Sequence, residues 1–354
     1  MRHCSLALII AVLAAASAPA AIIVDAGGSG DYLTIQEGIN AASEGDSVIV
    51  RPGMYTGPSN RGLTFDGTNI TLTTLGNIES TIIDCGGWDR AFYVLNTGED
   101  TTCVISGFTI RNGYTPSSDG GGIFASGASL TVEGCVIENC TASNNGGGVF
   151  FGYNTRLGRS IIKDCVIRDN HVESRGGGIM VSHGAAKIIG CTFARNSTTG
   201  DDEASQGGGA VCCHTIHEMT PIASCTFVGN SSVLNGSAIH SYAALDVVVR
   251  TSVIAFSEGG PAMTAGGGGF SMIDYNLFYW NTGGDYPGEH PDNLIGDPLF
   301  CDFYADDFTL CANSPCLPGG NPWGELIGAH DTACGECDSP VEDATWGSIK
   351  ALWR

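Results

Sequence analysis

Between residues 105 and 281 one short motif recurs seven times, and it restricts the chain to a stacked architecture. Each copy is centred on a slot, at Phe108, Cys135, Cys165, Cys191, Cys225, Ser252 and Asn276. Three residues before the slot stands Ile105, Val132, Ile162, Ile188, Ile222, Val249 or Ile273. Two residues after it stands Ile110, Ile137, Ile167, Phe193, Phe227, Ile254 or Phe278. Five residues after it the type drifts toward Asn, through Gly113, Cys140, Asn170, Asn196, Asn230, Ser257 and Asn281. The spacings between slots are 27, 30, 26, 34, 27 and 24. A fixed strand-like motif with variable intervals is the signature of a solenoid.

The slot and the residue two positions on share a parity, so they point to one face of a strand. Glycine runs follow: Gly120–Gly122, Gly146–Gly148, Gly176–Gly178 and Gly207–Gly209. An apolar residue comes directly or shortly after each, so every repeat holds at least two short strands around a tight bend. No segment of the repeat shows a period of 3.6, which argues against helices there. A unit of about 27 residues cannot bury its own apolar face, whereas stacked copies enclose a continuous core. The expected fold is all-β: a right-handed parallel β-helix solenoid with a short N-terminal capping helix and a Cys-rich C-terminal end. Stacked Asn residues should form amide ladders. Alternating signs, Arg111, Glu138 and Arg168 in one row and Glu133 and Lys163 in another, predict ion pairs between neighbouring coils.

A formal net charge of −22 argues against nucleic acid and anionic membranes as partners. Residues 1–20 read as a signal peptide: Arg2 and His3, an apolar run from Leu6 to Ala16, and the small-residue site Ala18-Pro19-Ala20. That run is too short to span a bilayer, and nothing later is long and apolar enough to anchor. The expected location is therefore secreted or on the cell surface.

Ile35, Ile39 and Ala42 fall on one side of a short helix that starts near Thr34 or Asp31. Residues 45–55 then alternate as a strand and turn at Pro52-Gly53. This opening resembles that of the pectin-lyase-like superfamily, in which a helix plugs the first coil, and most of all the start of pectin methylesterases. The repeats also resemble those of chlamydial polymorphic outer-membrane proteins. Phe193 to Asn196, Phe227 to Asn230 and Phe278 to Asn281 match their Phe-x-x-Asn pattern. The resemblance spans about residues 22–330 and implies the β-helix fold, with the solenoid over 21–297 and a closing segment over 298–337. Residues 338–354 form a tail in which Trp346, Ile349 and Trp353 share one side of a possible docking or sorting helix.

The catalytic segments of pectin methylesterases and polygalacturonases are missing, so the resemblance implies fold without their active sites. Three constellations stand out instead. Asp201, Asp202 and Glu203 lie in the longest repeat, where clustered carboxylates suit Ca²⁺ or form a solvated acidic loop. Lys187 and Arg195 are the weak candidates for a lyase base beside them. Cys212, Cys213, His214, His217 and Glu218 offer soft and imidazole ligands, although Cys212 and Cys213 would face opposite ways on a strand. The slot cysteines 135, 165, 191 and 225 read as buried thiols whose parallel Cβ vectors disfavour disulfides. Cys301, Cys311, Cys316, Cys334 and Cys337 crowd the C-terminal end, and in an exported chain they predict at least one disulfide, joining Cys301 or Cys311 to Cys316.

The sequence therefore suggests a non-catalytic structural, adhesive or glycan-binding protein, with an extracellular glycan or cell-surface component as partner. Alternatives are a polysaccharide lyase or glycoside hydrolase, and a passenger of an outer-membrane pathway.

Overall fold

The computed structural model describes residues 20–154, 158–200, 206–216, 218–244, 246–286 and 291–338. Residues 1–19 of the expected signal peptide, the candidate calcium residues Asp201, Asp202 and Glu203, His217 and the expected tail from 339 onward lie outside the described residues.

The chain winds into parallel coils with four strands to a full turn. One coil shows the order. Thr131–Glu133 lies in a first sheet, Val136–Glu138 in a second, Thr141–Ala142 in a third and Val149–Gly152 in a fourth. Ser160–Lys163 then returns to the first sheet, one coil on. Among the described residues the first and second sheets each stack ten strands, the fourth seven and the third six. The repeat read from the sequence is the register itself: Val132 lies opposite Ile105 and Ile162, and Ile137 opposite Ile110 and Ile167. These columns are fully buried.

The slots form the corner between the first and second sheets. The residue before each slot takes a left-handed conformation, as at Gly134, Asp164, Gly190 and Ser224. A second left-handed corner precedes the Asn column, at Asn139, Asp169 and Arg195. There the expected ladder forms. Asn196 donates from Nδ2 to Ile167 O at 2.8 Å and to Asn230 Oδ1 at 3.0 Å, while its own Oδ1 accepts from Asn170 Nδ2 at 3.0 Å. Each buried amide thus satisfies the coils on both sides. The glycine runs have two separate causes. Gly146 needs a positive φ, 66°. Gly147 needs space, because a Cβ there would strike the carbonyl oxygens of Gly177 and His171 in the next coil.

At the N-terminal end helix Ile35–Ala41 plugs the first coil, with Thr34 as N-cap and Glu37 completing a capping box. Ile35, Gly38 and Ile39 are its buried face. Gly38 lets that face sit on Val24 and Val48, since a Cβ would collide with both.

The C-terminal segment does more than close the last coil. Phe300–Asp302, Asp307–Cys311 and Thr332–Cys334 form a small sheet that folds back over the outer face of the second sheet. Phe300, Phe303, Phe308, Leu310 and Ile327 pack there against Ala194, Val228, Val253, Ala255 and Leu277. Two disulfides tie this segment, Cys301–Cys334 and Cys311–Cys337. The expected pairing with Cys316 is corrected: Cys316 is a buried free thiol in the apolar cluster beneath the segment. Strand Thr332–Cys334 pairs with Asp307–Cys311 and so brings Cys334 and Cys337, rather than Cys316, to Cys301 and Cys311.

Candidate functional site

On the second sheet the outward residues flank each inward column residue. Toward the C-terminus the back-folded segment covers them. Toward the N-terminus they stay open and floor a groove of about 490 Å³, with Ile82, Thr109, Val136 and Val166 along it. Glu79 walls one end, and Asp306, on the tip of the covering segment, walls the other. A smaller recess of about 70 Å³ continues under that segment, sharing Val166, Arg168 and Asp306 and adding Thr192 and His330.

The charged rows beside the floor are paired along the solenoid axis. Arg111 Nε meets Asp84 at 2.8 Å, and Arg168 NH2 meets Glu138 at 2.6 Å. Lys163 meets Glu133 at 2.7 Å on the first sheet. The expected alternation is therefore real, with one correction: Arg111 turns back to Asp84, leaving Glu138 to Arg168. Burial pushes the Asp84 carboxyl up, but hydrogen bonds from Asn112, Arg111 and Gly86 outweigh it and hold its pKa low. Thr192 Oγ1 and His330 Nε2 are 2.6 Å apart, and burial lowers the pKa of that imidazole. A row of apolar and hydroxyl groups between paired charges offers a sugar ring both a flat contact and hydrogen-bond partners.

The candidate base residues do not meet in this groove. Lys187 lies on Ala186–Ile189 of the first sheet, around the corner from it. Arg195 is gripped from two sides, by Asp169 at 2.8 Å and Asp306 at 2.6 Å. Burial opposes its charge, yet the two carboxylates prevail and raise its pKa. Asp201, Asp202 and Glu203 lie outside the described residues. Cys212 packs outward with Met180 while Cys213 points into the core, so the two cannot share an ion. The slot thiols are free and fully buried. Asp306 and His330 escaped the sequence reading because contacts of 111 and 138 residues' separation assemble this end of the site, and Glu79, at the other end, lies before the first copy of the motif. One signal was present: Asp84 stands opposite Arg111 in the same charged column.

A model of the right-handed beta helix region matches residues 90–276. Among solved structures, a pectin methylesterase from carrot aligns with 15% identity and a TM-score of 0.41, covering 88% of this chain and 95% of its own. The pectate lyase Pel9A aligns with 13% identity and a TM-score of 0.42, covering 89% of this chain and 98% of its own. These likenesses concern the fold alone. No curated protein sequence matches the chain.

Proposed function

The chain belongs to the right-handed beta helix family, and from that premise we propose that it is a secreted or cell-surface protein that binds an extracellular glycan. The site is the open half of the second sheet. One observation carries this reading: the groove between Glu79 and Asp306 has a floor of Thr109, Val136 and Val166 and is bordered by charges already paired. Its lining holds three carboxylates, Glu79, Glu138 and Asp306, against two guanidiniums, Arg111 and Arg168. With a chain charge of −22, that lining favours a neutral glycan over a polyanion. The role is non-catalytic in this reading, because Arg111 and Arg168, the basic groups on the lining, are each held by a carboxylate and neither is poised to take a proton.

The test is a panel of neutral and acidic polysaccharides, scored for binding and for products. A neutral polymer should bind without being cut, and Val136→Trp, on the half-exposed floor, should weaken it at least about tenfold. Unchanged binding by that variant would reject the groove. A second reading, glycoside hydrolysis, is favoured by Glu138 and Asp306 facing one space across Arg168. New reducing ends that vanish in Glu138→Gln would establish it. The acidic loop at Asp201, Asp202 and Glu203 is the calcium element of the proposal, and added Ca²⁺ should raise the melting temperature.

A further inference from the structure

We infer that, before its disulfides form, the C-terminal segment holds a soft divalent ion of the zinc class between Cys301, Cys311, Cys334 and Cys337. The two bridges are not independent. Cys334 Sγ lies 3.5 Å from Cys311 Sγ and 3.8 Å from Cys337 Sγ, the two sulfurs of the other bridge. The ligand atoms of Cys301, Cys311 and Cys334 all fall within 4.8 Å of one another. A tetrahedral ion with Zn–S bonds of about 2.3 Å needs sulfurs roughly 3.8 Å apart. The two distances from Cys334 to the other bridge already match edges of such a tetrahedron, and cleaving the bridges frees the sulfurs to adopt the rest. Cys334-Gly335-Glu336-Cys337 also has the two-residue spacing that lets one short loop supply two thiolates.

Backbone contacts, apart from the sulfur bonds, also hold three of these cysteines beside one another. Cys311 and Cys334 are register partners, although they are not bonded to each other. Asn313 clamps Cys337 in both directions, accepting from its N–H at 3.0 Å and donating to its carbonyl at 2.9 Å. Ala312 N donates to Gly335 O at 3.0 Å. Cleaving the bridges therefore leaves Cys311, Cys334 and Cys337 side by side, with Cys301 on the neighbouring strand within reach of them. The slot thiols differ: they stand in a single file, one per coil, and cannot surround an ion.

The conversion balances. Two equivalents of a dithiol reductant supply four electrons and four protons and become cyclic disulfides, leaving four cysteine thiols. A divalent ion then displaces those four protons and forms four metal–sulfur bonds. Two equivalents of a disulfide oxidant take back four electrons and, with four protons from water, become dithiols; the two bridges re-form and the ion is released, so the redox state of the compartment selects the occupant.

The experiment reduces the folded full-length chain with a dithiol, confirms four new thiols by mass, removes the reductant without air and adds Co²⁺ as a spectroscopic probe. The expected result is one ion per chain, with thiolate-to-cobalt absorption and tetrahedral d–d bands, displaced by Zn²⁺. Cys334→Ser and Cys337→Ser should each weaken binding at least about a hundredfold, while Cys316→Ser, which alters the buried thiol outside the cluster, should leave it unchanged. A circular-dichroism spectrum of the reduced apo chain checks that the solenoid stays folded in every variant. Absence of cobalt uptake after complete reduction overturns the inference. So does uptake that survives Cys334→Ser, because other cysteines then hold the ion.

Discussion

Phe193 gives the sharpest test of the core at the scale of single residues. Its ring is fully buried and stacks on Phe227 with centroids 4.7 Å apart. Phe193→Ala should cost ~3–5 kcal/mol, read as a lower denaturation midpoint, because the coils above and below cannot collapse into the space. A loss below about 1 kcal/mol would contradict the column. His214 gives a test in pH. Burial first, then Arg175 and His183 beside it, depress its pKa to about 4 from a usual value of 6.5. The unfolded chain therefore takes up this proton at a higher pH than the folded one. The stability tied to neutral His214 is complete above pH 6.5 and is lost as pH falls toward about 4. In His214→Gln the stability curve should flatten over that window, and an unchanged acid limb would exclude the imidazole as its source.

Among the elements, the strands were readable and the closing segment was not. The apolar columns, the Asn ladder and the glycine bends repeat at fixed offsets, so each copy corroborates the next. Thr34, one of the two starts the sequence offered, beside Asp31, likewise marked the capping helix through local chemistry. Nothing local distinguished Cys316 from Cys334, since strand pairing across more than twenty residues decides which thiol is delivered where. Asp306 and His330 were hidden for the same reason. The bridges close 33 and 26 residues. Replacing both Cys334 and Cys337 with Ser should destabilise the segment by ~2–4 kcal/mol per bridge. Since the segment covers Ala194, Val228, Val253 and Ala255, weakening it should expose apolar surface at a lower denaturant concentration than in the parent. A hydrophobic dye should then bind the variant at a denaturant concentration where the parent does not bind it, and equal dye binding throughout would show that the bridges add nothing to the segment's hold.

At the scale of the whole molecule, each coil touches only its neighbours, so stability is close to a sum of coil and interface contributions. That makes the fold legible from one sequence and leaves the candidate groove, a feature of the outer surface, only weakly encoded. The back-folded segment departs from nearest-neighbour logic. Asp306 holds both Arg168 and Arg195, His330 reaches Thr192, Ala329 N donates to Thr226 Oγ1 and Gly328 N to Thr251 O. These attachments fall on successive coils, so the segment lies along them as a splint. Its consequence is mechanical. A plain solenoid pulled from its C-terminus would pay out chain one coil at a time, in steps of about 27 residues. Here the load meets the splint first, and the coils beneath cannot peel until it tears free. Stretched singly, the oxidised protein should resist to one high rupture force and then lengthen by several coils together, whereas the bridge-free variant should yield in small, even steps. A chain built this way behaves under tension as a latch rather than a spring.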